Sequence, residues 1–194
     1  MKSSKENTVK SDEHFDPVGE RLFTGRKVLI CEEINQTMAK KVAAQLLALA
    51  EESDDDILLF INSQGGHVEA GDTIHDIIQF ITPRVKVIGT GYVASAGTHI
   101  FLAAEKEDRY CLPNTRFLIH QPSGGVGGQA SDIAIQAEQI IRMRERLAKT
   151  IAAQTGQPIE RVRLDIERDN WMTTDEAIEY GIVSKVIRKV TELN

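Results

Sequence analysis

A serine set among residues too small to crowd it is the first place where this chain could do chemistry: Gly91-Tyr92-Val93-Ala94-Ser95-Ala96-Gly97. Phe117-Leu118-Ile119-His120-Gln121-Pro122 follows, with a histidine at the end of an apolar strand. A serine hydroxyl is a weak nucleophile until a base takes its proton. A serine in a tight turn after a strand, with a strand-end histidine to follow, is the pair that acyl transfer requires. The competing reading is a solvated serine at a helix start, where Ser is common as an N-cap.

Upstream, Asp54-Asp55-Asp56-Ile57-Leu58-Leu59-Phe60-Ile61-Asn62-Ser63-Gln64-Gly65-Gly66-His67 reads as a buried strand running into a glycine loop. A helix follows, with Ala70, Ile74, Ile77, Ile78 and Ile81 on one face. A Gly-Gly pair after a strand can turn its backbone N–H groups outward, and such fixed donors stabilise the oxyanion of a tetrahedral intermediate. A phosphate loop is the alternative. It lacks a lysine at P-loop spacing and the Gly-x-Gly-x-x-Gly pattern. Val93 stands two residues before Ser95, so the Gly-x-Ser-x-Gly elbow of the α/β-hydrolases is absent. The acidic cluster near a strand end is Asp165-Ile166-Glu167-Arg168-Asp169, which gives the order Ser, His, Asp. Spacing alone does not choose between Asp165 and Asp169. His99 is a competing base, one turn into the helix that Ser95 would open, where packing is the expected role. His67 and His75 are expected at the surface or in loops.

Taken together, the motifs resemble the proteolytic-subunit family of the Clp protease (ClpP, peptidase family S14). The matching residues are Phe60-Ile61-Asn62-Ser63 with Gly65-Gly66, Ala94-Ser95-Ala96-Gly97, Cys111-Leu112-Pro113-Asn114, Ile119-His120-Gln121-Pro122, Gly124-Gly125, Gly127-Gly128-Gln129-Ala130, Glu167-Arg168-Asp169 and Glu176-Ala177 with Tyr180-Gly181. They stand in order across roughly residues 27 to 190. The resemblance implies Ser95 as nucleophile, His120 as general base and Asp169 as the acid that orients it. Gly66 and Ala96 would supply the oxyanion hole. Gly124, Gly125, Val126 and Gly127 would hold an extended substrate by backbone pairing, in a strand over 124–130. Leu58, Phe60 and Phe80 fall where the family docks its partner, although an ordinary core strand also explains Phe60.

The resemblance further implies a crotonase-like α/β fold of stacked ββα units with a protruding handle helix, assembled as two heptameric rings in a tetradecamer. An AAA+ unfoldase of the ClpX, ClpA or ClpC type would feed it unfolded proteins, and a second ClpP paralog could share the rings. No Walker A motif is present, so ATP hydrolysis belongs to that partner. Neither cofactor nor metal is expected. Two departures mark a divergent paralog. Gln64 replaces the proline usual in the oxyanion loop, which predicts a softer loop, because proline fixes φ. Residues 13–26 do not match the family's axial-loop segment. An inactive or weakly active subunit of mixed rings is therefore the alternative function. A crotonase-type acyl-CoA enzyme is a second rival, and it would need no Ser–His–Asp set.

The elements that must position these residues alternate strand and helix. Strands are expected at about 27–32, 57–62, 85–89, 116–120 and 183–187. Helices are expected at about 36–50, from the glycine loop to Ile81, from Ser95 to Leu102, and at 131–154 with Gly156 beyond its end. Pro158 suits a first helical position, and Thr173 with Glu176 suits a capping box. The 131–154 helix would span roughly 36 Å, and its apolar stripe Ile133, Ala137, Ile140, Leu147, Ile151 is long for one domain to cover. The chain has 194 residues, enough for a single domain over 17–194 behind a polar disordered arm or propeptide at 1–16. A net charge of −6 argues against nucleic-acid binding, and no apolar run is long enough for a membrane span. Cys31 and Cys111 make no disulfide framework. The expected location is cytoplasmic.

Overall fold

The computed structural model describes residues 16–125 and 127–193. The expected arm therefore lies, apart from Asp16, outside the described residues, as does Val126. Asp16 opens the first helix, α1 (Pro17–Thr24), by accepting the Val18 and Gly19 N–H groups on its side chain. Then come β1 (Lys27–Ile30), α2 (Gln36–Glu52), β2 (Ile57–Ser63), α3 (Val68–Phe80), β3 (Val85–Ala94) and α4 (Ala96–Phe101). β4 (Arg109–Cys111), β5 (Arg116–Ile119), α5 (Ala130–Thr155), α6 (Ile159–Asp165), β6 (Asn170–Met172), α7 (Thr174–Tyr180) and β7 (Lys185–Val186) complete the order. The architecture is mixed α/β around a largely parallel sheet, as the alternating pattern predicts.

β2 shows why the layers stack. Its burial alternates along the strand, so Ile57, Leu59 and Ile61 enter the main core with Met38, Val42, Leu46 and Leu49 of α2 and Ala70, Ile74 and Ile78 of α3. Leu58 and Phe60 point to the other face, against a small cluster of Ile88, Tyr110 and Ile187.

β3 does two jobs. Its first half pairs with β2 and with β4, Val87 to Gly89 facing Arg109 to Cys111. Its second half leaves that register and pairs with β5, Tyr92 to Ala94 facing Arg116 to Leu118. β5 is paired in turn, antiparallel, with β6. The sheet thus forks at β3. One branch closes the core through β4 and β7; the other carries the C-terminal end of β3 beside β5 and β6.

The long helix α5 has 26 residues and is buried only near its end. Ala148, Ile151 and Thr155 are buried, while Ile133, Ile135 and Ile141 remain exposed. Fully buried Arg109 holds that end, donating to the Gln154 carbonyl at 2.7 Å and to the Ala104 carbonyl at 2.7 Å. Burial pulls its guanidinium down to about 10. Gly156 takes the left-handed conformation at φ 79°, and Thr173 and Glu176 form a capping box, both as the residue types predict.

Two expectations are corrected. The described residues of 124–130 form no strand, and α5 begins at Ala130. Within one chain no strand edge lies beside them: a Cβ built on Gly124, Gly125 or Gly127 meets nothing within 4 Å. Pro158 is the cap residue rather than the first helical residue of α6, because its extended ψ of 135° keeps it outside the helix.

Candidate active site

Ser95 sits at the turn between β3 and α4 with φ 57° and ψ −120°. A positive φ is strained for a residue with a Cβ and persists only where the surroundings over-determine it. They do so here. Ser95 N–H donates to the Leu118 carbonyl at 3.0 Å, and the Thr98 hydroxyl lies 2.8 Å from the carbonyls of both Val93 and Leu118. The Gly-x-Ser-x-Gly spelling is absent, yet the strand–turn–helix that raises a serine above a sheet end is present.

His120 and Asp169 arrive by strand register. On β5 and β6, Phe117 faces Met172, Leu118 faces Trp171 and Ile119 faces Asn170. The next opposed positions are His120 and Asp169. On the other side of β5, Leu118 faces Ala94, which sets His120 beside Ser95. In the tautomer that satisfies both contacts, His120 Nδ1–H donates to Asp169 Oδ1 at 2.9 Å and Nε2 accepts the Ser95 hydroxyl at 2.8 Å. Asp165 is elsewhere, on α6, where it accepts the Tyr180 hydroxyl at 2.9 Å and pairs with Arg161. The segment carrying Asp169 is strapped to β5. Gln121 N–H donates to the Ile166 carbonyl at 2.6 Å, the Gln121 side chain donates to the Glu167 carbonyl, and Arg144 of α5 pairs with the Glu167 carboxylate. An open cleft of about 510 Å³ lies between residues 120–123 and 167–169.

The glycine loop is wedged against this turn. A Cβ on Gly65 would stand 2.7 Å from Ser95 Cβ and 3.0 Å from the Ala96 nitrogen, so only glycine fits. Gly66 forms a parallel bridge with Ile34 in which its neighbours do the bonding: Ile34 N–H donates to the Gly65 carbonyl and His67 N–H to the Ile34 carbonyl. The Gly66 N–H consequently faces away from Ile34. Ala96 is the first residue of α4, so its N–H has no partner inside the helix. Neither N–H meets an acceptor among the described residues. Two free backbone donors therefore border the serine.

Gln64 is itself bonded. Tyr92 Oη donates to Gln64 Oε1 at 3.0 Å, Ser63 Oγ donates to the Glu32 carbonyl at 2.6 Å and Gly65 N–H donates to Ser63 Oγ at 3.1 Å. Side-chain bonds thus tie the loop at Ser63 and Gln64, where the family's proline would fix φ.

Of the other expected positions, Gly124, Gly125 and Gly127 are exposed and packed against nothing, and Val126 is not described. Leu58 and Phe60 share the outer face of β2, whereas Phe80, 81% exposed at the end of α3, is not part of that cluster. His75 is not a surface residue; it is buried against His99 where α3 crosses α4. Cys111 is buried, and desolvation pushes its thiol up to about 12, so it is no rival nucleophile. Among the described residues, no three His, Cys, Asp or Glu side chains cluster as metal ligands, and no helix is long and apolar enough to cross a membrane.

Comparison with known proteins shows what the whole chain is similar to. The family model described as Clp protease matches residues 10–190. An ATP-dependent Clp protease proteolytic subunit 3 of Rhizobium etli is 55% identical over 172 residues, covering 89% of each chain. An ATP-dependent Clp protease proteolytic subunit of Paracoccus denitrificans is 56% identical over 167 residues, 86% of this chain and 84% of that one. Among solved structures, ClpP1 of Listeria monocytogenes superposes with a TM-score of 0.83 at 54% identity, covering 91% of this chain and 99% of the other. A point mutant of that protein gives 0.85 at 55% identity, covering 90% and 98%.

Proposed function

The chain belongs to the Clp protease family, and from that premise we propose that Ser95, His120 and Asp169 are its catalytic triad, with the Gly66 and Ala96 N–H groups as the oxyanion hole. The fold is that of ClpP, and the activity is that of a serine endopeptidase, the proteolytic subunit of an ATP-dependent Clp protease. The observation that best supports the site assignment is the unbroken relay from Asp169 through His120 to Ser95, at 2.9 and 2.8 Å.

The chemistry follows from the atoms in place. Ser95 Oγ attacks the peptide carbonyl as His120 Nε2 takes its proton. Asp169 keeps the proton on Nδ1, so that Nε2 is the free lone pair, and stabilises the imidazolium that forms. The carbonyl oxygen gathers negative charge and is received by the Gly66 and Ala96 donors, each of which is worth about 2.7–4 kcal/mol in comparable enzymes. His120 then passes its proton to the leaving amine, and water repeats the sequence to free Ser95.

Subunits of this family assemble into rings and work with Clp ATPases. We further assign the handle role to α5, through which two heptameric rings meet. Gly124, Gly125, Val126 and Gly127 are assigned to holding substrate, at a wall completed in the assembly rather than in one chain. Leu58 and Phe60, with Phe80, receive an unfoldase of the ClpX, ClpA or ClpC type. The particle works in the cytoplasm on unfolded proteins.

Fluorophosphonate labelling of the purified protein, mapped by mass spectrometry, tests the core of this reading. Label is expected on Ser95 and nowhere else, and its loss is expected in Ser95→Ala with the particle size unchanged. Label on a different serine, or peptide cleavage that survives in Ser95→Ala, would overturn the triad.

A further inference from the structure

One turn beyond Ser95, α3 and α4 bury two histidines face to face. His75 and His99 are 6% and 7% exposed, with ring centroids 4.4 Å apart and planes within 6°. His99 Nε2 lies 2.9 Å from Asp72 Oδ1, and the other Asp72 oxygen is paired with Arg146 of α5. His75 Nδ1 lies 3.4 Å from Asp76 Oδ1. The remaining nitrogen of each ring, His75 Nε2 and His99 Nδ1, is buried with no hydrogen-bond partner.

That pattern suits neutral imidazoles. A neutral ring has one N–H, which each of these rings can donate to its carboxylate, and one lone pair, which can stay bare at modest cost. An imidazolium has N–H on both nitrogens. The second would be buried without an acceptor, and its charge would sit beside the other ring. The titratable and charged groups that face His75 are His99 from α4 and Asp76 and Asp72 from its own helix; those that face Asp72 are His99, Arg146 from α5, and His75. Among the described residues, α2 adds no ion pair to the cluster, although it also packs on α3. Burial, followed by His99, holds His75 below the ordinary imidazole value. Burial would raise Asp72, but its hydrogen bond with His99 and the charge of Arg146 outweigh that and keep it below the usual carboxylate range.

The cluster adjoins the nucleophile directly. His99 N–H donates to the Ser95 carbonyl at 3.1 Å. Gly71, next to Asp72, lies so close to α4 that a Cβ there would stand 3.2 Å from Ala96 Cβ. The strained backbone of Ser95 and the Ala96 donor are therefore braced by the α3–α4 contact that the two histidines fill.

We propose that Asp72, His99 and His75 are positioning residues for Ser95 and Ala96: with the His75 imidazole neutral the cluster clamps α4 against α3, and a proton on His75 loosens it. This rests on the assignment of Ser95 as nucleophile. The sign is set by His75. Its folded value lies below its unfolded one, so the unfolded chain binds more protons. The contribution to stability is whole above about pH 6.5 and is lost as pH falls below that toward the folded value.

The test is the rate of fluorophosphonate labelling at Ser95 in the assembled protein as a function of pH. One proton on His120 removes the base, and a second on the cluster removes the brace. The acid limb of log rate against pH is therefore expected to approach a slope of about two. His75→Phe keeps a ring in the stack but cannot take the proton, so its limb is expected to fall to a slope of about one and to reach lower pH, with the neutral rate within about threefold. A slope of one in the native protein, or a His75→Phe profile that coincides with it, would overturn the proposal. The first of these needs no variant to fold. Absence of label at every pH would instead overturn the Ser95 assignment. In that event thermal unfolding still tests the cluster: the native protein should lose stability relative to His75→Phe as pH falls below about 6.5, and parallel curves would sink it.

Discussion

Two glycine segments flank the proposed site, and they are built in opposite ways. Gly65 and Gly66 are wedged: a side chain on Gly65 would collide with Ser95 and with the Ala96 nitrogen, and Gly66 is bridged to Ile34. Gly124, Gly125 and Gly127 touch nothing within 4 Å of where a side chain would stand. The contrast continues into the helices that follow. α4 is buried along its whole length, whereas α5 leaves Ile133, Ile135 and Ile141 exposed and is buried only toward its far end. The wall proposed to do chemistry is thus completed inside one chain. The wall proposed to hold substrate is open in one chain, which fits a family whose subunits work in rings. Exposed apolar surface of this extent on an ordered helix marks an interface.

The sharpest test of the completed wall is its most exposed member. Asp169 has a side chain that is 65% accessible, yet register fixes it on His120. Asp169→Asn would favour the wrong imidazole tautomer and is expected to slow peptide cleavage by up to about 10⁴-fold. Asp165→Asn, which weakens only the contacts to Tyr180 and Arg161, is expected to cost far less. Equal losses measured on one short peptide would mean that the relay is not what the β5–β6 register makes it.

The same register shows what was legible in the chain and what was not. Ser95 and His120 stand out because each ends an apolar strand in an otherwise plain context. Asp169 does not, since β6 is only three residues long and an antiparallel pairing of that length leaves no alternating pattern to read. Counting back along β5 and β6 identifies it at once, but only after the pairing is known. β4 escapes notice for the same reason of length. His75 reads as polar in a helix otherwise lined by isoleucines, and nothing local says that His99 will stack on it from another helix. Gln64 reads as a lost proline, because its partner Tyr92 lies on a different strand. Period and turn chemistry carry the layers, the capping box and the Gly156 terminus; contacts between elements distant in sequence carry the rest.

The wedge itself can be broken with one methyl group. Gly65→Ala places a Cβ at φ 93°, 2.7 Å from Ser95 Cβ. It is expected to destabilise the fold by about 1–3 kcal/mol. By shifting the Gly66 and Ala96 donors it is also expected to lower kcat by about 10²–10³-fold. Chemical denaturation and steady-state kinetics on the same preparation read both effects. A Gly65→Ala enzyme with native kcat would show that the close approach of this loop to the serine is incidental.

On the open side the expected losses move from chemistry to assembly. Ile141 is 67% exposed and Ile135 is 57% exposed on α5. Replacing both with serine should leave the fold of the subunit within about 0.5 kcal/mol of the original, as for surface positions generally. Sedimentation should nevertheless show smaller particles, and peptide cleavage should fall with the loss of assembly. An unchanged particle would mean that this face of α5 is covered by nothing.

The smallest effect, and the one that separates the two glycine segments most directly, is expected from Gly124→Ala. The added methyl meets no atom of its own chain, so no clash opposes it. A glycine-to-alanine change at a compatible backbone removes freedom from the unfolded chain, which stabilises by about 0.4–1 kcal/mol, but only where the native segment is ordered. If neighbouring copies pack on Gly124 and Gly125 in the ring, the assembled protein should gain more of that increment on thermal unfolding than the dissociated subunit. A substrate held through backbone N–H and C=O groups loses none of them to a methyl, so KM should shift less than the kcat of Gly65→Ala does. A Gly124→Ala enzyme crippled as severely as Gly65→Ala would reverse the comparison, placing rigid catalytic geometry on the side of the molecule that one chain leaves unpacked.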